Sequence, residues 1–277
     1  MTVTITTKRT QPGLGEAKDL SEFLKHVDQW VAGTTGMGFN IVLFRGQEDI
    51  DWPLMPGIGR EQYRKRIRPD TEARMLKEFK QRAVPHLELP VALADADWLA
   101  IEQHHGMPTR LLDWTGSALA ALWFAIKQPA RIGKDKKPCA AAVWLLTATE
   151  SDTVGFDDAA RRNPLDQAET KLLKPRHVSK RISAQDGWFS VHHAITEGLT
   201  TRFVALDHDD SFKKQLSFIR IPPDAFGPMR AQLQVAGINR GVLFPDLDGV
   251  AGRITDAFLY PDDQAETGYA GNLGKDH

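Results

Sequence analysis

Hydrophobic positions recur along this chain at two periods, and the switch between them lays out its elements. Leu20, Phe23, Leu24, Val27 and Val31 return at helical spacing, and Ser21 suits the N-cap. After a Gly/Thr turn over 33–38, the short apolar run Ile41-Val42-Leu43-Phe44 predicts a buried strand ending at Arg45-Gly46. Trp52 to Arg60 holds two prolines and two glycines and reads as irregular. Helical patterns follow over 70–84 and 92–104, the second with Leu93, Trp98, Leu99 and Ile101 on its apolar face. Gly106-Met107-Pro108-Thr109 stops that helix, and a strongly apolar one runs from Ser117 to Lys127, with Leu119, Leu122, Trp123 and Ile126 turned to the core. Lys134 to Pro138 is a charged turn before a strand over 140–147. Residues 151–177 read as an inserted helix and loop, and 178–184, 188–192 and 216–221 as strands. Pro222-Pro223 opens a helix that Gly237 ends.

Strands and helices are mixed without regular βαβ alternation. This predicts an α+β fold, a mixed sheet core with helices packed around it. No repeat and no linker composition interrupts the chain, so one domain is expected over 19–261, between a loose Thr-rich arm at 1–18 and a polar tail at 262–277.

The 277 residues are 42% hydrophobic and 26% charged, enough for a sizeable core. A net charge of −1 gives no long-range pull toward nucleic acid or anionic membrane. The N-terminus lacks the apolar region of a signal peptide, and no apolar run reaches the length of a membrane span, so the expected address is the cytosol. The single cysteine, Cys139, reads as a structural thiol on a buried strand. No HExxH or CxxC pattern exists, and His192-His193 on a strand would face opposite sides, so no metal is expected.

Candidate chemistry gathers at two places. Arg45 closes an apolar strand, where a guanidinium is either paired with a carboxylate such as Asp113 or clamps an anion, with Gly46 letting a ligand approach the backbone. His104-His105-Gly106 and the stretch Thr109 to Thr115 lie between two apolar helices and read as a pocket wall, one histidine at most pointing inward. Arg110 and Asp113 suit a local salt bridge or a site, and Thr115 suits an N-cap whose free N–H groups could take an anion. Asp246 and Asp248 read as a solvated turn.

Four blocks together resemble the FRG domain family, named for a Phe/Tyr-Arg-Gly tripeptide. They are Phe44-Arg45-Gly46-Gln47 with Trp52-Pro53-Leu54-Met55-Pro56 and Arg60; Gln103 to Thr115 leading into Ala120 to Ala125; Arg181 to Phe189; and Leu243 to Gly249. The resemblance implies a part in bacterial conflict, toxin or phage-defence systems. The order of features is also similar to that of ADP-ribosyltransferases that use NAD, in which an Arg-bearing strand, a Ser/Thr turn entering a helix and a late strand with a catalytic Glu build the site. Here Gln185 stands where that Glu is expected, leaving Asp113, Asp246 or Glu197 as the carboxylate. By this analogy Arg45, His105, Arg110, Asp113 and Gln185 are the catalytic candidates. Phe44, Gly46, Trp52, Thr109, Trp114, Thr115 and Phe189 are the ligand-binding candidates, Trp114 or Phe189 stacking on nicotinamide. NAD is then the substrate, and a macromolecule or water the acceptor. The competing expectations are a non-catalytic module that binds a nucleotide, a phosphorylated ligand or a partner protein, and a metal-dependent nuclease-like hydrolase.

Overall fold

The computed structural model describes residues 11–35, 38, 41–86, 93–154, 163–175 and 183–259. Its centre is a seven-stranded mixed sheet in the order β1-β9-β4-β2-β3-β6-β5. The strands are β1 (Gly13–Glu16), β2 (Ile41–Gln47), β3 (Leu111–Thr115), β4 (Ala141–Ala148), β5 (Lys171–Leu173), β6 (Gly187–Val191) and β9 (Leu216–Ile221). All neighbours are antiparallel except β1, which runs parallel to β9.

Strand β4 is apolar but for Thr147 and wholly buried, because both faces of the sheet are covered. Val143 and Leu145 meet one layer, built by α1 (Leu20–Thr35), α5 (Ala118–Ile126) and α6 (Phe226–Val235). Trp144 and Leu146 meet the other, where Leu43, Leu54, Leu112, Trp114, Leu206 and Phe212 pack. The two-residue period of a strand thus feeds two cores from one sequence run. Helix α5 lies directly on β2: a Cβ at Gly46 would collide with the Ala121 carbonyl and the Ala125 nitrogen. Gly46 therefore serves helix-on-strand packing, not the approach of a ligand to the backbone. A third cluster joins α3 (Thr71–Ala83) and α4 (Asp95–His104) to the outer strands through Leu76, Leu99, Leu111, Leu173 and Phe189.

Several local expectations are corrected. Gly13–Glu16, read as part of a loose arm, is an edge strand, and Ala17 beside it is fully buried. Residues 1–10 and the tail at 262–277 lie outside the described residues. Helix α1 is capped by Asp19, which accepts from the Glu22 N–H at 2.8 Å, and not by Ser21. Cys139 precedes β4 and is half-buried in the turn, where burial and the carboxylates of Asp49, Asp135 and Asp51 push its thiol pKa up. The segment read as an inserted helix and loop holds only 3-10 turns and β5 among its described residues. The strand expected at 178–184 lies mostly outside the described residues, and Ser183 and Ala184 are helical.

Two elements were not expected. The hairpin β7 (Ala194–Glu197) and β8 (Thr200–Phe203) turns at Gly198, whose φ of 61° suits a two-residue connection. After the short α7 (Arg240–Leu243), helix α8 (Leu247–Leu259) starts where a solvated turn was read; Asp246 Oδ1 accepts from the Gly249 N–H at 2.9 Å as its cap. No helix of the described residues is long and apolar enough to cross a membrane.

Candidate functional site

The site begins with an opening in the sheet. Strands β2 and β3 share a single paired position, Phe44 opposite Thr115. Beyond it β2 stays with β4 as far as Gln47, while β3 stays with β6 from Thr115 back to Leu111. The facing edges diverge, and backbone groups released from the ladder need other partners. Arg45 supplies one: its Nη1 donates to the Asp113 carbonyl oxygen at 2.6 Å, across the split. The nearest Asp113 carboxylate oxygen stands 3.8 Å away, and Arg45 Nε is buried with no hydrogen-bond partner among the described residues. Burial holds the guanidinium pKa below its usual value; Asp113 opposes that shift and Arg60 adds to it.

A cleft of about 1270 Å³ opens over this split. Its floor carries Arg45, Asp113, Trp114 and Thr115. One wall is the segment 57–67 with hairpin strand β8, joined where the Thr201 N–H donates to the Ile67 carbonyl. The other holds Phe124 and Lys127 at the end of α5, and Arg131, whose guanidinium lies 4.5 Å over the Trp52 ring. Gln185, Trp188, Phe189 and Phe244 close the far side. Six basic side chains line the cleft (Arg45, Arg60, Arg64, Lys127, Arg131, Arg202) against three acidic ones (Glu48, Glu61, Asp113), so it favours anions although the whole chain is near neutral.

Asp113 is 64% exposed in its side chain and is held from below. Gln103 Nε2 donates to its Oδ1 at 2.7 Å, while Gln103 Oε1 accepts from Thr109 Oγ1 at 2.5 Å. Thr109 itself is buried and outside the cleft lining; it reaches the site only by orienting the Gln103 amide. Gln103 was missed as a site residue; its signal was its place one turn before the helix-breaking His-Gly.

The other candidates divide. Phe44, Gly46, Trp52, Trp114, Thr115, Gln185 and Phe189 line the cleft with Arg45 and Asp113. Trp114 and Phe189 are only 3% and 5% exposed, and the Trp114 indole N–H is committed to Ser190 Oγ, so neither offers much ring to a stacking ligand. Thr115 is not a helix cap: its hydroxyl donates to the Gln185 carbonyl and accepts from the Ser117 N–H, and Ser117 caps α5. Gln185 Nε2 donates to the Leu243 carbonyl at 2.9 Å, which leaves its Oε1 as the free end.

Arg110 and His105 lie elsewhere. Arg110 is 4% exposed in its side chain and forms a two-pronged pair with Glu72, at 3.0 and 2.5 Å, with a third bond to the Leu165 carbonyl. Arg110, the residue before β3, faces the buried corner of α3 and α4, and its charge is matched there by Glu72. His105 is the exposed C-cap of α4, and His104 takes the place on the cleft wall. Glu197 pairs with Arg202 on the hairpin and Asp246 caps α8, and neither lines the cleft. His192 is sealed between Ser190 Oγ and the Val204 carbonyl; burial lowers its pKa to about 4, which makes it a neutral core group. Among the described residues no group of three or more His, Cys, Asp or Glu is placed to hold a metal ion.

No curated protein and no solved structure matches the chain. The family model of the FRG domain matches residues 40–133, the stretch that carries Phe44-Arg45-Gly46, Gln103, Asp113 and α5.

Proposed function

We propose that the cleft binds NAD and that the chain breaks the bond between nicotinamide and ribose, passing ADP-ribose to water or to a macromolecular acceptor. The observation that carries this reading is the meeting of Arg45, with an unsatisfied Nε, and the exposed Asp113 carboxylate in one basic, aromatic-walled cleft. An anionic diphosphate answers the guanidinium, whose planar fork suits phosphate oxygens. Trp52 and Trp188 offer ring surface that Trp114 and Phe189 do not.

As the glycosidic bond breaks, its electron pair leaves with nicotinamide and positive charge develops on the ribose. Asp113 is the cleft carboxylate on the open floor, and a fixed negative charge there stabilises that cation. Its lower oxygen is held by Gln103, so the group needs little reorganisation. Gln185 Oε1 can accept from a ribose hydroxyl but carries no charge. The acceptor oxygen or nitrogen then bonds to the ribose carbon and releases its proton to solvent.

Nicotinamide release, followed chromatographically with cell lysate as a source of acceptors, tests the reading. Wild type is expected to release nicotinamide, and the Arg45→Ala and Asp113→Asn variants to lose at least about 100-fold of the rate. A second reading has one specific support: an amide, Gln185, tied to Leu243, stands where a transferase would supply a carboxylate. NAD binding without nicotinamide release would establish that reading, a nucleotide-binding module, in place of the first.

A further inference from the structure

The six cations of the cleft are not equivalent. Arg64 pairs with Glu61 at 3.5 Å, Lys127 with Glu48 at 3.4 Å, and Arg202 with Glu197 at 2.9 Å. Arg131 rests on Trp52, and Arg45 leans on Asp113. Among the described residues Arg60 alone of the six has neither a carboxylate nor an aromatic ring against it.

Its backbone, by contrast, is tightly held. Arg60 joins the 3-10 turn Gly57–Gly59 to α2 (Glu61–Arg64): its N–H donates to the Gly57 carbonyl, and its carbonyl accepts from Tyr63 and Arg64. The Ile58 N–H donates to the Thr109 carbonyl at 3.1 Å, tying this segment to the start of β3. Gly59 fits against Phe203 of the hairpin, where a Cβ would stand 3.1 Å from the Phe203 Cβ. A fixed backbone thus presents an uncommitted, exposed guanidinium on the wall above Arg45.

The two arginines also act on each other, since the Arg60 charge works against protonated Arg45. Asp113 outweighs the effect of Arg60 on Arg45, but a single carboxylate, 3.8 Å from Arg45, leaves the pair of guanidinium groups with a net positive charge. Like charges held together in a partly buried cleft are relieved by an anion between them.

We propose that Arg60 and Arg45 together form a phosphate seat at the mouth of the β2/β3 split, so that the cleft selects ligands carrying a diphosphate. This rests on the cleft being a nucleotide site and adds which group of the nucleotide it grips. The seat predicts that inorganic pyrophosphate binds by itself, that ADP binds and adenosine does not, and that affinity falls as salt rises.

The test is thermal denaturation and calorimetry of the full chain with inorganic pyrophosphate, ADP and adenosine, on wild type, Arg60→Ala and Arg60→Lys. Saturating pyrophosphate is expected to raise the wild-type Tm by about 5 °C. Arg60→Ala weakens pyrophosphate roughly 10- to 100-fold, and Arg60→Lys falls between because it keeps the charge and loses the fork. Without ligand, Arg60→Ala melts no lower than wild type, the opposite of what losing a structural cation does. Equal pyrophosphate affinity in wild type and Arg60→Ala overturns the proposal, as does equal binding of ADP and adenosine, or a lowered Tm for ligand-free Arg60→Ala. The NAD reading fails separately: pyrophosphate binding that depends on Arg60, with no nicotinamide release, leaves the phosphate seat standing and removes the reaction. Nicotinamide release that Arg60→Ala leaves unchanged in kcat and KM does the reverse.

Discussion

Two arginines that look alike in the sequence live in opposite circumstances. Arg110 faces the corner between α3 and α4 and is 4% exposed in its side chain; Arg45 faces the split between β2 and β3 and is 15% exposed. Arg110 has Glu72 on two of its nitrogens and the Leu165 carbonyl on the third. Arg45 has one main-chain carbonyl, a carboxylate beyond hydrogen-bond reach, and a buried Nε with no acceptor among the described residues. A buried guanidinium with a partner on each of its three nitrogens is a finished piece of structure. One that is half-matched beside an open, basic cleft has capacity left for a ligand. The contrast lies in the partners and not in burial, since both groups are largely removed from water.

The sharpest way to break this comparison is to remove each arginine in turn. Arg110→Ala leaves Glu72 as an uncompensated charge in a buried corner that already holds Glu102, and should cost about 3–5 kcal/mol. Arg45→Ala strands no buried carboxylate, because Asp113 is mostly exposed, and should cost about 1–2 kcal/mol for its lost packing and hydrogen bond. Denaturant unfolding of the two variants measures the difference. Equal losses would make Arg45 structural and take away the central argument for the cleft.

The α3/α4 corner has a second test of its own. Glu102 is 2% exposed, its Oε1 has no partner among the described residues, and burial, with Glu72 nearby, raises its pKa from 4.5 to about 7. A carboxyl raised on folding gives stability that is complete below the unfolded value and is lost as pH climbs through the folded one. The loss should therefore run from pH 4.5 to just above 7 and reach about 3 kcal/mol. Glu102→Gln keeps the shape without the charge, so it should flatten that slope and exceed wild-type stability above pH 7. A wild-type curve flat across this window would show that Glu102 finds a partner that neutralises its cost.

Much of this was legible before any coordinates. The uninterrupted apolar run at 140–146 specified a strand covered on both faces, and the small and aromatic residues of 117–127 specified the helix that covers β2. The clustering of Phe44-Arg45-Gly46 with Asp113, Trp114 and Thr115 around one cleft was also visible as two polar clusters at the ends of apolar elements. What the sequence could not separate was Arg110 from Asp113. They stand three residues apart, and only strand alternation with the packing of α3 sends one to Glu72 and leaves the other at the split. Long-range partners have no local signature. The same holds for α8, whose cap at Asp246 looks like any turn aspartate until a helix is seen to follow, and for Gly46, whose lack of a side chain is required by α5, some seventy-five residues on.

The smallest effect expected is also the most discriminating. Asp113 carries two different interactions with Arg45, one through its main-chain carbonyl at 2.6 Å and one through its carboxylate at 3.8 Å. Asp113→Asn leaves the first untouched and removes only the charge from the second. The Asn oxygen can still accept from Gln103, so the chain of hydrogen bonds from Thr109 is kept. An exposed carboxylate paired at that distance contributes little to folding, and the variant should unfold within about 0.5 kcal/mol of wild type. Its effect on nicotinamide release should nonetheless be as large as that of losing Arg45, because a neutral amide cannot stabilise a developing cation. A variant that is folded, binds ligand and does not turn it over assigns the charge to chemistry. A loss of several kcal/mol would instead make Asp113 to Arg45 what Glu72 is to Arg110, and the two regions would differ in exposure alone.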